Sequence, residues 1–245
     1  MLSNLERTLI MKKFVLTLLG FLSAAPAFAA DINVPITKAP APVVYGDPWN
    51  GFYIGGNAGY GLDRGASTAC CTASGLAVDF KTAPAGFIGG LHAGYMIHMP
   101  GSGFVIGLEG DGDIATLDGT VNNPGFIGNA NSKNRWLASL RGRFGYVLAP
   151  NVLVYGTGGW GWGSSDFTVQ AVNANGAFNA MSLSATKNGA VVGGGVDFAI
   201  SSNWIAGLEY LHFFLNDSTM NMGGGNFLTA SDNVDVVRGR LSYKF

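Results

Sequence analysis

The histidines and cysteines are the residues of this chain whose types could bind a metal or act as nucleophile and base. His92, His98 and His212 are isolated, none has the spacing of a metal-binding pair, and His98 lies in a predicted turn. Cys70 and Cys71 are adjacent, which makes a disulfide between them sterically awkward. Because the sequence has no second cysteine cluster to complete a zinc site, we predict no metal and no cofactor. We interpret the cysteine pair as small residues at a loop tip.

A serine, a histidine and a carboxylate together could hydrolyse lipid esters, and His212 is the histidine to consider. Asp217 and Ser218 lie close to it in sequence. However, Phe214 occupies the position two residues after the histidine, where lipid A deacylases lead us to expect a serine. We therefore predict that the chain is not an enzyme, and we interpret His212 as an interfacial residue on a lipid-facing strand surface.

Charged side chains recur at every second position in several segments, which is the spacing of one face of a β-strand. In the last segment Arg238 and Arg240 share one face, while Val237 and Leu241 share the other. Because acidic segments neighbour basic ones along the chain, we predict ion pairs between adjacent strands, facing the inside of the fold. The candidates are Glu109, Asp111, Asp113, Arg141, Arg143, Glu209, Arg238, Arg240 and Lys244.

Residues 1–30 have the layout of a secretory signal peptide. Two lysines precede an uncharged apolar run over residues 14–30, and the small residues at its end predict cleavage after Ala29 or Ala30. The start codon is either the first residue or Met11, because the residues from Met11 onward form a complete signal by themselves. Either start predicts an exported protein.

Composition and charge limit what the mature chain can be. The chain is 48% hydrophobic and 12% charged, with 38 glycines. It is too apolar for a disordered protein, and its apolar runs are interrupted too often to form membrane-spanning helices. The full chain has a formal net charge of −1 at pH 7, and loss of residues 1–30, which carry a net +2, leaves the mature chain acidic, so it has no basic surface for nucleic acid. Residues 31–50 contain four prolines, so neither a helix nor a central strand persists there. We interpret them as an extended periplasmic leader before one β domain over residues 51–245.

The β domain consists of alternating segments whose spacers are long and short in turn. This pattern predicts an all-β fold, an eight-stranded antiparallel up-and-down transmembrane β-barrel. The short turns would share one end with both termini, which in outer-membrane barrels is the periplasmic end, and the long loops would face outside. The predicted strands are residues 52–62, 86–97, 103–113, 135–147, 152–163, 187–199, 203–214 and 234–245. The predicted short turns are 98–102, 148–151 and 200–202, and the long loops are 63–85, 114–134, 164–186 and 215–233.

Aromatic residues favour a barrel in lipid over a water-soluble sheet, whose strands alternate in the same way. If the strands run up and down in order, these residues gather at two levels around an aliphatic and glycine-rich band, as at the two interfaces of a bilayer. The periplasmic level holds Trp49, Phe52, Tyr95, Phe104, Phe144, Tyr146, Phe198, Trp204, Tyr243 and Phe245. The outer level holds Tyr60, Phe87, Trp136, Trp160, Trp162, Tyr210 and Phe214.

An eight-stranded barrel has an interior that is only wide enough for side chains to fill. Cross-strand ion pairs would therefore plug the lumen, and loosely solvated charges without fixed partners are the alternative. We rank a structural surface barrel first among possible functions, a narrow passive diffusion pore for small solutes second, and a lipid-modifying enzyme third.

Both ends of the domain resemble the small porin-family outer-membrane proteins of alphaproteobacteria, which share an OmpA-like eight-stranded barrel. The resemblance lies in Trp-Asn-Gly-Phe-Tyr-Ile-Gly-Gly-Asn-Ala-Gly-Tyr at 49–60 and in Arg-Gly-Arg-Leu-Ser-Tyr-Lys-Phe at 238–245. The segment Trp-Leu-Ala-Ser-Leu-Arg-Gly-Arg-Phe-Gly-Tyr at 136–146 also matches.

This resemblance implies a surface protein that contributes to envelope integrity and to contact with a host or the environment. It implies insertion by the barrel-assembly machinery, with Leu241, Tyr243 and Phe245 as the C-terminal signal. The expected partners are outer-membrane lipid and lipopolysaccharide, the assembly machinery, and a surface ligand of the loops. The resemblance implies no active site.

Overall fold

The computed structural model describes residues 47–64, 67–71, 76–80, 84–122, 129–172, 178–221 and 227–245. They form strands β1 (Gly51–Asp63), β2 (Ser67–Cys71), β3 (Leu76–Phe80), β4 (Ala85–His98), β5 (Phe104–Asn122), β6 (Asn129–Ala149), β7 (Val152–Val172), β8 (Phe178–Ala199), β9 (Trp204–Asn221) and β10 (Phe227–Lys244). No helix in these ranges is long and apolar enough to cross a membrane. The predicted signal peptide, its cleavage site and most of the leader lie outside the described residues.

The eight long strands close into a barrel. They follow one another in the order β1, β4, β5, β6, β7, β8, β9 and β10, all antiparallel, and β10 pairs back with β1. The short strands β2 and β3 form a hairpin, and β2 pairs with β10 at the end of β10 farther from the chain termini. The predicted eight-stranded antiparallel up-and-down barrel is therefore confirmed.

Most strands are longer than predicted at the end farther from the termini. Strand β5, for example, continues to Asn122, and the loops predicted over 114–134, 164–186 and 215–233 are largely strand. The reason is physical: apolar alternation marks only the part of a strand that faces lipid, while backbone ladders continue through polar residues in water. The predicted loop 63–85 contains the hairpin of β2 and β3, so the cysteine pair ends a strand.

The segment before β1 folds into the barrel mouth at the end of the short turns. Trp49, which we expected in the aromatic belt, is instead 1% exposed, and its Nε1 donates to the carbonyl of Pro150 (3.3 Å). Asp47 fixes this position, because its carboxylate accepts from the Trp49 amide (3.0 Å) and lies 2.7 Å from His98 Nδ1. Lys244 Nζ donates to the Asp47 carbonyl (2.8 Å). These contacts turn the indole inward, so the belt prediction is wrong for Trp49.

The outer wall of the barrel is apolar over its middle. Leu108 is 58% exposed and Phe87 74%, and the other aromatic residues predicted for the two levels are exposed as well. Monomeric proteins in water rarely expose a continuous apolar band, whereas a lipid-facing wall requires one. The alternate, inward residues are buried and form the interior.

Candidate functional site in the barrel lumen

Charged side chains fill the middle of the lumen and form what we call the ionic layer. Each is at most 4% exposed. The layer joins strands that are not neighbours in the sheet: Arg141 on β6, for example, contacts Glu209 on β9 at 3.0 Å. Such contacts are possible only across the barrel interior. Its members are Arg141, Arg143, Arg238 and Arg240 with Glu109, Asp111, Asp113, Asp197 and Glu209.

Two glutamates lie at the centre of the ionic layer. The Glu109 carboxylate accepts hydrogen bonds from Arg141 (2.6 Å), Arg143 (3.1 Å) and Arg240. The Glu209 carboxylate accepts from Arg141 (3.0 Å) and from Arg240 (2.8 Å). Arg141 and Arg240 therefore each bridge both glutamates, and the buried charges compensate one another with short, charge-assisted bonds.

The remaining carboxylates extend the layer in two directions. Arg238 pairs with Asp111 and with Asp113 (2.6 Å) on β5. On the other side, Arg143 pairs with Asp197 on β8 (2.6 Å). Sequence reasoning missed Asp197, although its position on the inward parity of the strand could have identified it.

Two tyrosines, which the sequence analysis also missed, complete the network. The Tyr53 hydroxyl donates to Glu109 (2.6 Å) and accepts from Arg143 (3.0 Å). The Tyr155 hydroxyl donates to Glu209 (3.1 Å), and the Arg143 guanidinium carbon lies 3.7 Å from the centre of the Tyr155 ring. The tyrosines thus place hydroxyl groups in the ionic layer and rings in the apolar layer beside it.

Removing one of these hydroxyl groups is expected to destabilise the barrel measurably. We expect Tyr53→Phe to lower the free energy of unfolding by about 1.5–3 kcal/mol, because the hydroxyl bonds two charged groups in a buried site. Urea titration of the protein refolded into lipid vesicles measures this change. Tyr95→Phe is the control, since Tyr95 is 50% exposed on the outer wall; an equal loss in both variants would contradict the proposed role of Tyr53.

Apolar side chains pack above and below the ionic layer. At the end of the short turns one cluster contains Trp49, Tyr53, Met96, Val105, Leu153, Tyr155 and Ile205. Towards the other end a second cluster contains Ile88, Ala115, Leu117, Leu137, Val191, Leu211, Phe213, Leu215, Val234 and Val236. The lumen is therefore packed in three layers, apolar, ionic and apolar, rather than lined by solvated charges.

The strand register explains why the predicted residues meet. Glu109 lies directly opposite Arg141 across β5 and β6, and Glu209 lies opposite Arg238 across β9 and β10. All the predicted candidates except Lys244 are in the ionic layer. Lys244 lies at the barrel end, where backbone carbonyls accept from its ammonium.

The residues predicted as a C-terminal insertion signal and as potential metal ligands lie outside the ionic layer. Leu241, Tyr243 and Phe245 lie exposed on the outer wall, and their role in insertion stays a prediction. His92 is buried and lies 2.7 Å from the Ser242 hydroxyl. Over the ranges that the structure describes, no group of three or more histidine, cysteine or acidic residues is placed to hold a metal.

The described charges towards the outer end of the wall lie at the second aromatic level or beyond it. His212 Nδ1 is 2.5 Å from Asp235, a partner on the next strand that sequence proximity did not suggest.

Arg135 pairs with Asp166. A hydrogen bond from the Ser184 hydroxyl, helped by Arg135, lowers the pKa of the Asp166 carboxyl below its usual value. The side chains of the predicted residues Asp217 and Ser218 lie outside the described part of the structure.

Known proteins resemble this chain over most of its length. It matches the outer membrane protein β-barrel domain family over residues 14–245. It is 32% identical over 242 residues to the 31 kDa outer-membrane immunogenic protein of Brucella melitensis biotype 1, covering 96% of this chain and 100% of that protein. It is 28% identical over 209 residues to the 22 kDa outer membrane protein of Rhizobium leguminosarum bv. viciae, covering 84% and 82%. Among solved structures it is similar to the outer membrane protein OprG of Pseudomonas aeruginosa, with a TM-score of 0.48 and 14% identity over 80% of this chain and 96% of that one.

Proposed function

Because this chain belongs to the outer membrane protein β-barrel family, we propose that it is a closed surface barrel with a structural role in the bacterial envelope and in surface contact. One observation carries this proposal: the ionic layer is packed between two apolar layers inside the barrel. A protein that moves solutes through its lumen needs a continuous polar path, whereas here the charged groups bind one another.

The energetics of the lumen favour a permanent plug over a gate. Opening a path past Arg141 would separate it from Glu109, Asp111 and Glu209, which lie 2.6–3.0 Å away. Leaving a buried charge without its partner costs about 3–5 kcal/mol. A path would also have to pass the two apolar clusters, and beside the second one the Asp63 carboxylate is bound by Asn134 Nδ2 (3.1 Å).

The proposal also includes an orientation, which the general layout of outer-membrane barrels supports, and partners, which the family resemblance implies. The end with the short turns and the termini faces the periplasm, and the long strand extensions face outside. Outer-membrane lipid and lipopolysaccharide surround the wall, and the barrel-assembly machinery inserts the chain through its last strand. The outward strand extensions and the segments between them contact a host or environmental ligand.

Electrical recording in planar bilayers tests whether the lumen is closed. We expect the purified wild-type protein to produce no reproducible unitary steps, because the three layers leave no path for an ion. An established porin purified in the same detergent is the control for insertion and recording.

The second candidate function, a narrow diffusion pore, makes the opposite prediction. Stable steps of the wild-type protein that grow larger in Glu109→Ala or Arg141→Ala would support a pore and contradict the closed barrel. A silent wild-type protein that stays silent in lipid mixtures of different thickness would support the closed barrel.

A further inference from the structure

One buried carboxylate lies on the lipid-facing side of the barrel wall. Asp235 is on the lipid-facing parity of β10, together with Val237, yet it is only 5% exposed. Three neighbours cover it: the Tyr210 hydroxyl donates to it (2.6 Å), His212 Nδ1 lies 2.5 Å away, and Arg64 Nε lies 2.6 Å away. Placing a carboxylate on an apolar wall costs free energy. The contacts of Asp235 therefore indicate a function for the side chains that it binds.

The strand register gives the height of this cluster on the wall. Val237 lies opposite Tyr60 on one side and opposite Tyr210 on the other, and both tyrosines belong to the second aromatic level. Asp235 and His212 lie opposite one another two residue pairs farther along the strands. Since aromatic belts lie at the level of the lipid headgroups, the cluster lies at the headgroups as well.

The cluster presents positive charge to its surroundings. The Arg64 side chain is 72% exposed, whereas the Asp235 side chain is 7% exposed. The ion pair uses Arg64 Nε, so most of the guanidinium stays accessible for a second, bidentate interaction. His212 is held through Nδ1, which directs Nε2 away from Asp235. Nε2 can accept from a protonated phosphate oxygen when the ring is neutral and donate to phosphate when it is charged.

We propose that Arg64 and His212, held in place by Asp235, bind a phosphate group of the lipid A part of lipopolysaccharide in the outer leaflet. A guanidinium beside an imidazole matches the geometry and charge of a phosphate monoester, and lipid A brings such a group to this level of the membrane. The inference rests on the proposed orientation, in which this rim faces outside. Tyr210 and Arg64 bind Asp235, and the Phe214 ring packs against His212; these groups are suited to binding an anion.

Lipid retention measured by native mass spectrometry tests the site. The folded protein is titrated in detergent with diphosphorylated lipid A, with dephosphorylated lipid A and with phosphatidylglycerol. We expect diphosphorylated lipid A to bind at least about tenfold more tightly than the other two, and Arg64→Gln and His212→Gln each to weaken it about tenfold, the effect of losing a hydrogen bond to a charged group. Millimolar inorganic phosphate is expected not to displace it, because the acyl chains add to the affinity.

Arg135→Gln is the matched control, because Arg135 is 71% exposed on the same wall and also pairs with an aspartate through Nε. Equal weakening by Arg64→Gln and Arg135→Gln, or equal binding of dephosphorylated lipid A or phosphatidylglycerol, would overturn the proposal. The titration does not depend on which end of the barrel faces outside or on conduction. Failure of the site is therefore distinct from failure of the proposed function.

Discussion

Arg141→Met is expected to lower the free energy of unfolding by about 3–5 kcal/mol, because it removes one of the two cations that bridge both central glutamates. Arg141 contacts Glu109, Asp111 and Glu209 and is itself 0% exposed. Within the described ionic layer the carboxylates already outnumber the arginines, so loss of one arginine leaves two excess negative charges. Methionine keeps much of the side-chain length, and the loss therefore reports charge rather than packing.

The same strand supplies the control for this experiment. Arg135 is also on β6 and also pairs with an aspartate, but it is 71% exposed on the outer wall. Exposed ion pairs contribute about 0–1 kcal/mol, so Arg135→Met is expected to unfold at nearly the wild-type urea concentration. Similar losses in the two variants would mean that burial of the ionic layer is not what stabilises the barrel.

The sequence predicted the barrel because period-two alternation depends only on neighbours along the chain. Once the order of the strands is assumed, the same parity assigns Glu109 and Arg141 to the inside and to adjacent strands. Those two residues are indeed opposite one another in the ladder. Contacts between sequential antiparallel strands are thus accessible to sequence reasoning, since each strand pairs with the next.

Contacts across the lumen were not accessible in this way. The pair of Arg143 with Asp197 joins β6 to β8, and the bond of Tyr53 to Glu109 joins β1 to β5. Which inward residues meet depends on the tilt and stagger of the strands, which alternation does not encode. The inward turn of Trp49 likewise depends on its contact with Pro150, about a hundred residues away in sequence.

The close approach of neighbouring strands also explains where glycine is required. On β7, Gly159 lies directly opposite Arg141. A Cβ atom at Gly159 would lie 2.1 Å from the carbonyl oxygen of Leu140 and 2.7 Å from the Cα of Arg141, both backbone atoms that cannot move aside. The absence of a side chain there lets β6 and β7 approach while the Arg141 side chain crosses the lumen.

We therefore expect Gly159→Val to fail to fold or to lose at least about 3 kcal/mol, because overpacking of a rigid site displaces backbone. The measurement is the heat-dependent gel shift of a folded barrel, with protease protection as a second readout. Gly158→Val is the control on the preceding residue of the strand: it faces lipid, and its Cβ would lie 3.8 Å from the nearest atom, the Val191 carbonyl oxygen. It is expected to fold with a stability within about 0.5 kcal/mol of wild type. If both variants folded equally well, the backbones of β6 and β7 could not approach one another as closely at Gly159 as the structure requires.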